Sequence, residues 1–168
     1  MFSREKETNR KEEIVEQIIC EKYNSYYRMA YSYVHNDADA SDLVQEGAYK
    51  AIKNSGSLKH IEYAGSWVYR IMLNEIFRFL NEKKPLSIEE EEYMGPPSED
   101  YYENIDLKKA LNSISPKDRA VIQLKYYDEL KLEEIARILG ENLSTVKSRL
   151  YRGLKKLKVA LGDCNEGS

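Results

Sequence analysis

The residues of this chain best suited to chemistry lie near its C-terminal end, and the chemistry is recognition rather than bond making. Ser148, Tyr151, Arg152 and Lys155 repeat at three- and four-residue spacing, flanked by Lys147, Arg149, Lys156 and Lys158, and no acidic residue falls between Leu143 and Gly162. At helical periodicity they form one face, opposite a stripe of Val146, Leu150, Leu154 and Leu157. A helix laid in the major groove of duplex DNA meets phosphates along both walls and base edges at the floor. It therefore needs lysine and arginine for charge and short polar side chains near its start. An ordinary solvated helix can carry a basic run too, so what precedes this one decides between the two readings.

Leu132, Ile135, Ala136 and Leu139 make an apolar stripe that ends at Gly140, the residue best able to take a left-handed turn. Asn142 is placed to cap the next helix by accepting from a backbone N–H near Thr145. Lys131 through Leu157 thus predicts a helix-turn-helix. Upstream, Ser115-Pro116-Lys117-Asp118 is a helix start with a serine cap, a proline at the first position and an acid in the first turn, and Val121 and Leu124 are the expected buried positions behind it. With a stripe of Leu107, Ala110, Leu111 and Ile114 before it, the C-terminal part reads as four short helices.

The chain has 168 residues, a formal net charge of −3 and 42% hydrophobic residues, enough for one average domain or two small ones. No apolar run approaches a membrane span, and the charged start MFSREKETNRKEE is unlike a signal peptide, so a cytoplasmic protein is expected. Cys20 and Cys164 are far apart without a CxxC partner, which supports neither a zinc site nor a disulfide framework. The net charge hides a segregation of sign. From Pro85 to Asp106 the chain is rich in Asp and Glu, has no Lys or Arg, and is broken by Pro85, Gly95, Pro96 and Pro97. The expectation is all-α: two small helical domains, 1–84 and 107–168, joined by an acidic flexible linker, 85–106.

Before the linker the pattern predicts helices over Lys11 to Tyr23, Tyr26 to Val34, Ser41 to Lys53 and Ala64 to Asn81, with a turn at His35-Asn36-Asp37 and a loop at Ser55-Gly56-Ser57. On the last of these, Val68, Ile71, Met72 and Ile76 point to a core, while Arg70, Asn74, Phe77, Arg78 and Asn81 share the other side. A ring, amides and cations together suit unstacked single-stranded bases. On the third helix Asp42, Gln45 and Glu46 form a polar face, a partner for arginines on another protein.

In this order, D-L-V-Q-E (Asp42 to Glu46), W-V-Y-R-I-M-L-N (Trp67 to Asn74), S-P-K-D-R (Ser115 to Arg119), E-I-A-R-I-L-G (Glu134 to Gly140) and T-V-K-S-R-L-Y-R (Thr145 to Arg152) resemble the extracytoplasmic-function sigma factors of bacterial RNA polymerase. The resemblance covers about Tyr26 to Leu161. It implies a promoter-specificity subunit with the family's second and fourth conserved regions. By the same resemblance, Asp42, Gln45 and Glu46 would contact core polymerase. Leu58, Lys59, His60, Tyr63, Trp67, Tyr69, Arg70 and Asn74 would melt the −10 element and hold a flipped base, which costs a few kcal/mol of unstacking. Ser144, Thr145, Lys147, Ser148, Tyr151, Arg152 and Lys155 would read the −35 element. The acidic linker would thread through polymerase. Core polymerase, promoter DNA and an anti-sigma inhibitor are the implied partners, with no cofactor, metal or small-molecule substrate.

The chain departs from the family pattern in three places. Arg78 stands where an aspartate is usual, Asn81-Glu82-Lys83-Lys84 where arginines are usual, and Gly47 where a bulkier apolar residue is common. The alternative reading is a free-standing helix-turn-helix regulator, but such proteins normally dimerise, and neither a dimerisation helix nor a ligand domain is visible. An enzyme on nucleic acid would need a metal-binding acidic cluster on a folded element, a phosphate loop or a nucleophile–base pair, none of which the sequence offers.

Overall fold

The computed structural model describes residues 2–83 and 109–166, with side chains from Ser3 to Lys83 and from Lys109 to Gly162. The segment 85–106 expected as an acidic linker lies outside the described residues. Among those residues every element is helical, and the chain divides into two compact units.

The first unit is built on α1 (Phe2–Val34), α2 (Asp37–Lys53) and α3 (Ala64–Glu82), with single 3₁₀ turns at Ser55–Ser57 and Ile61–Tyr63. Helix α1 is continuous for 33 residues where the sequence pattern suggested a break at Asn24-Ser25. Its buried positions explain this: Val15, Ile19, Tyr26, Ala30 and Tyr33 stay in phase across the polar pair, because Ile19 and Tyr26 are seven residues, two helical turns, apart. Asn24 lies on the solvent side. His35, at φ 53°, stops α1 in the left-handed region. Asn36 then caps α2 by accepting from the Asp39 N–H at 3.0 Å, so this helix starts four residues before the expected Ser41. The Tyr27 hydroxyl donates to Asp37, tying α1 to the start of α2, and this bond holds the phenol's pKa up at about 12.

The three helices pack on one another around Val15, Tyr26, Val44, Val68, Leu73 and Ile76, side chains each worth about 1.5–3 kcal/mol when fully buried. Gly47 belongs to this seam. A Cβ there would lie 2.5 Å from Met72 Sδ, so the glycine gives Met72 the space that a bulkier residue would take.

In the second unit residues 109–112 are helical, followed by α4 (Pro116–Tyr126), α5 (Leu132–Leu139) and α6 (Leu143–Glu166). The expected punctuation is present. Ser115 Oγ accepts from the Asp118 N–H at 3.4 Å with Pro116 in the first turn, Gly140 has φ +66°, and Asn142 Oδ1 accepts from the Thr145 N–H at 2.8 Å. Helix α6 runs for 24 residues, so the last helix is not short. It packs against α4, which buries Ala120, Val121, Ile122 and Leu124. Gly153 sits at this contact, where an added Cβ would come within 2.7 Å of Ile122 Cδ1.

Candidate functional site

Three sets of side chains sit on these scaffolds. On α2, Asp42, Gln45 and Glu46 are exposed, with Leu43, Val44 and Gly47 buried between and behind them. Gln45 Nε2 donates to Ser41 Oγ at 3.1 Å, and Glu46 lies 4.0 Å from Lys50 Nζ. Tyr49, 60% exposed, extends the same face by one turn, a position at i+7 from Asp42 that the sequence reading missed. Lys53 Nζ lies 5.8 Å from the centre of its ring.

On α3 and the loop before it, Lys59, His60, Tyr63, Arg70 and Asn74 are exposed and Trp67 is half-buried. Tyr63, Trp67, Arg70 and Asn74 follow one another by four, three and four residues and so share one helical face. The His60 and Tyr63 rings meet edge to face at 6.0 Å. Two residues expected to touch DNA are core residues instead. Leu58 and Tyr69 are 3% and 2% exposed, and the Tyr69 ring packs edge-on against Tyr26 at 5.0 Å. Leu58 and the buried Ala64 pin the two ends of the loop, so Lys59 to Tyr63 is held between apolar anchors.

Behind this face lies Glu75, 5% exposed. Lys50 Nζ of α2 donates to its Oε1 at 2.5 Å, and Arg78 Nη2 to its Oε2 at 2.6 Å. A buried carboxylate needs such partners. Arg78, the departure from the family pattern, is thereby committed to Glu75. Phe77, expected beside Arg78 on the exposed side, is half-buried with its ring edge-on to Tyr33 at 6.2 Å.

On α6, Ser144, Lys147, Ser148, Tyr151, Arg152 and Lys155 are exposed, Tyr151 at 73%, and Thr145 is partly covered. Val146 and Gly153 are buried on the inner side, while Leu150, Leu154 and Leu157 are only partly covered. No sequence periodicity signals what lies beneath this outer face. Asp118 of α4, 1% exposed, receives Arg152 Nε at 2.8 Å and Nη2 at 3.2 Å, and Arg149 Nη1 at 2.9 Å. Arg149 spends its remaining edge on Glu141, at 2.6 and 2.9 Å. Lys117 Nζ stands 3.8 Å from Glu141. Burial alone would push the Asp118 carboxyl up, but hydrogen bonds and charge from Arg152 and Arg149 outweigh it, leaving the group below the usual carboxylate range. Glu141 is held low chiefly by the Arg149 hydrogen bonds. Arg149, expected to flank the DNA-reading face, is therefore an internal strut.

Among the described residues no group of three or more His, Cys, Asp or Glu is placed to hold a metal ion, and no helix is long and apolar enough to cross a membrane. A capped turn followed by a long helix with a basic outer face defines a helix-turn-helix DNA-binding protein, here joined to a unit with separate acidic and aromatic faces. Residues 21–85 match the family model for Sigma-70 region 2, and residues 105–157 that for Sigma-70, region 4. RNA polymerase sigma factor SigV of Bacillus subtilis is 38% identical over 146 residues, covering 85% of this chain and 88% of the relative. The ECF RNA polymerase sigma factor SigW of the same species is 30% identical over 155 residues, covering 82% and 83%. The sigma factor RpoE of Bartonella quintana, solved in complex with the anti-sigma factor NepR, shares the fold with a TM-score of 0.68 at 24% identity, over 88% of this chain and 96% of that one. The chain belongs to the extracytoplasmic-function (ECF) family of RNA polymerase sigma factors, which direct polymerase to promoters.

Proposed function

We propose that the three faces divide promoter recognition among them, in a cytoplasmic protein that acts by binding rather than by catalysing a reaction. Asp42, Gln45 and Glu46, extended by Tyr49, engage core polymerase. Lys59, His60, Tyr63, Trp67, Arg70 and Asn74 receive the melted −10 strand, with Leu58 and Tyr69 shaping that surface from beneath. Ser144, Thr145, Lys147, Ser148, Tyr151, Arg152 and Lys155 contact the −35 element. The observation that carries this reading is the outer face of α6, basic and exposed along its length while Val146 and Gly153 fix its inner side. An ammonium or guanidinium at each turn neutralises phosphates, and Ser148 and Arg152 sit where base edges would be. An anti-sigma factor is the further partner, a proposal supported by the relative solved in complex with NepR.

The test is to purify the chain with bacterial core RNA polymerase and map run-off transcripts genome-wide with and without it. New start sites sharing upstream elements are expected. A chain that ignores polymerase but shifts duplex DNA alone would instead be a free-standing regulator. Glu46→Arg is expected to weaken holoenzyme assembly at least tenfold with the helical content unchanged, read by native gel titration. Trp67→Ala is expected to leave assembly intact and reduce strand opening, read by permanganate footprinting of unpaired thymines.

A further inference from the structure

Arginine selects guanine by pairing two of its N–H groups with O6 and N7, and this discrimination depends on how well the guanidinium is aimed. A free arginine has many rotamers, and a base contact must first order them. In this chain the side edge of Arg152, Nε with Nη2, is already taken by the buried Asp118 at 2.8 and 3.2 Å. The end of the fork, formed by Nη1 and the outer hydrogen of Nη2, points away from that carboxylate, and the side chain is 54% exposed. Asp118 is itself tied down: it lies in the first turn of α4, capped by Ser115, and its Oδ1 also accepts from Arg149, whose second edge Glu141 closes. Gly153, next to Arg152 in sequence, lies at the α6–α4 seam, where a Cβ would come within 2.7 Å of Ile122 Cδ1, so its lack of a side chain favours the close approach of the two helices.

We propose that Asp118, buried beneath the outer face of α6, is a positioning residue for −35 recognition: it aims the Arg152 fork and thereby sets base discrimination at the position Arg152 reads. The proposal rests on the reading of α6 as the −35 helix. It predicts a signature that a purely structural carboxylate would not give. Replacing Asp118 by Asn frees Arg152 without removing its charge, so preference falls at one site while affinity for DNA of any sequence holds or rises, because a negative charge beneath the face is gone.

The experiment uses the full chain assembled with core polymerase, transcribing a pool of linear templates whose −35 region is randomised, with transcripts sequenced. Arg152→Ala is expected to lose preference at one or two adjacent base pairs. Asp118→Asn is expected to lose roughly tenfold preference at those same pairs and no others, and the double variant to match Arg152→Ala. If Arg152→Ala keeps every preference, α6 does not read through this residue, and both the reading and the proposal fall. If Arg152→Ala loses preference but Asp118→Asn keeps it, or loses output equally on all sequences, the proposal alone falls. Should Asp118→Asn melt too low for assembly, Asp118→Glu keeps the charge but pushes the fork outward. It is expected to shift the preferred base or weaken the preference at those pairs, and an unchanged profile overturns the idea.

Discussion

Glu75 in the first unit and Asp118 in the second are both buried carboxylates gripped by two cations, yet they stand in different relations to the surfaces that act. Of the partners of Glu75, Lys50 fastens α2 to α3 and Arg78 closes the pair within α3, and both leave Tyr63, Trp67, Arg70 and Asn74 outside the network. The partners of Asp118 are Arg149 and Arg152 of α6, the helix proposed to read DNA, one spent internally and one half-exposed. The first unit separates scaffold from contact surface; the second joins them through a single carboxylate. Strand capture needs a face of rings and amides that tolerates a flexible ligand, whereas duplex reading needs a guanidinium held in one direction.

The largest test of this contrast is Asp118→Ala. It removes two hydrogen bonds from Arg152 and one from Arg149, which keeps its pair with Glu141, and should destabilise the second unit by about 2–3 kcal/mol. Hydrogen exchange in α4 and α6 of the full chain should quicken, together with loss of −35 preference. Lys50→Met is expected to cost less, about 1–2 kcal/mol, since Arg78 still pairs with Glu75 and Lys50 is one-third exposed. Faster exchange confined to α2 and α3 with an unchanged −35 profile is the expected result, and a changed profile would erase the distinction between the units. The smallest effect is that of acid. Asp118 and Glu141 both lie below the usual carboxylate range, so their contribution to stability is full above that range and is lost as pH falls through their lowered values. Protection of α6 amides, corrected for the intrinsic pH dependence of exchange, should therefore be flat from neutral pH to about pH 5 and fall below about pH 4.

Much of this was legible in the sequence where structure is decided locally. Ser115-Pro116, Gly140 and Asn142 carry their own turn and cap chemistry, and each did in the structure what its side chain or backbone suggested. The continuity of α1 was less legible, because Asn24-Ser25 resembles a loop and only the phase of Ile19 and Tyr26 shows that the stripe runs through. The start of α2 was missed for a related reason: Asn36 acts as a cap, while the apolar pattern begins later. Burial divided the proposed −10 set. Leu58 and Tyr69 fall inside motifs rich in exposed residues, and only the packing of α3 against α1 places Tyr69 against Tyr26. The Asp118 clamp was beyond reach, since it links residues 31 and 34 positions apart and no periodicity reports on such a pair.

Gly153 carries a consequence on a longer timescale. Any heritable change at this position introduces at least one carbon against Ile122, whereas Lys155, Lys156 and Lys158 face water and meet no such constraint. Substitutions on the outer face of α6 can therefore accumulate one at a time, whereas one at Gly153 must be met by a shift of Ile122.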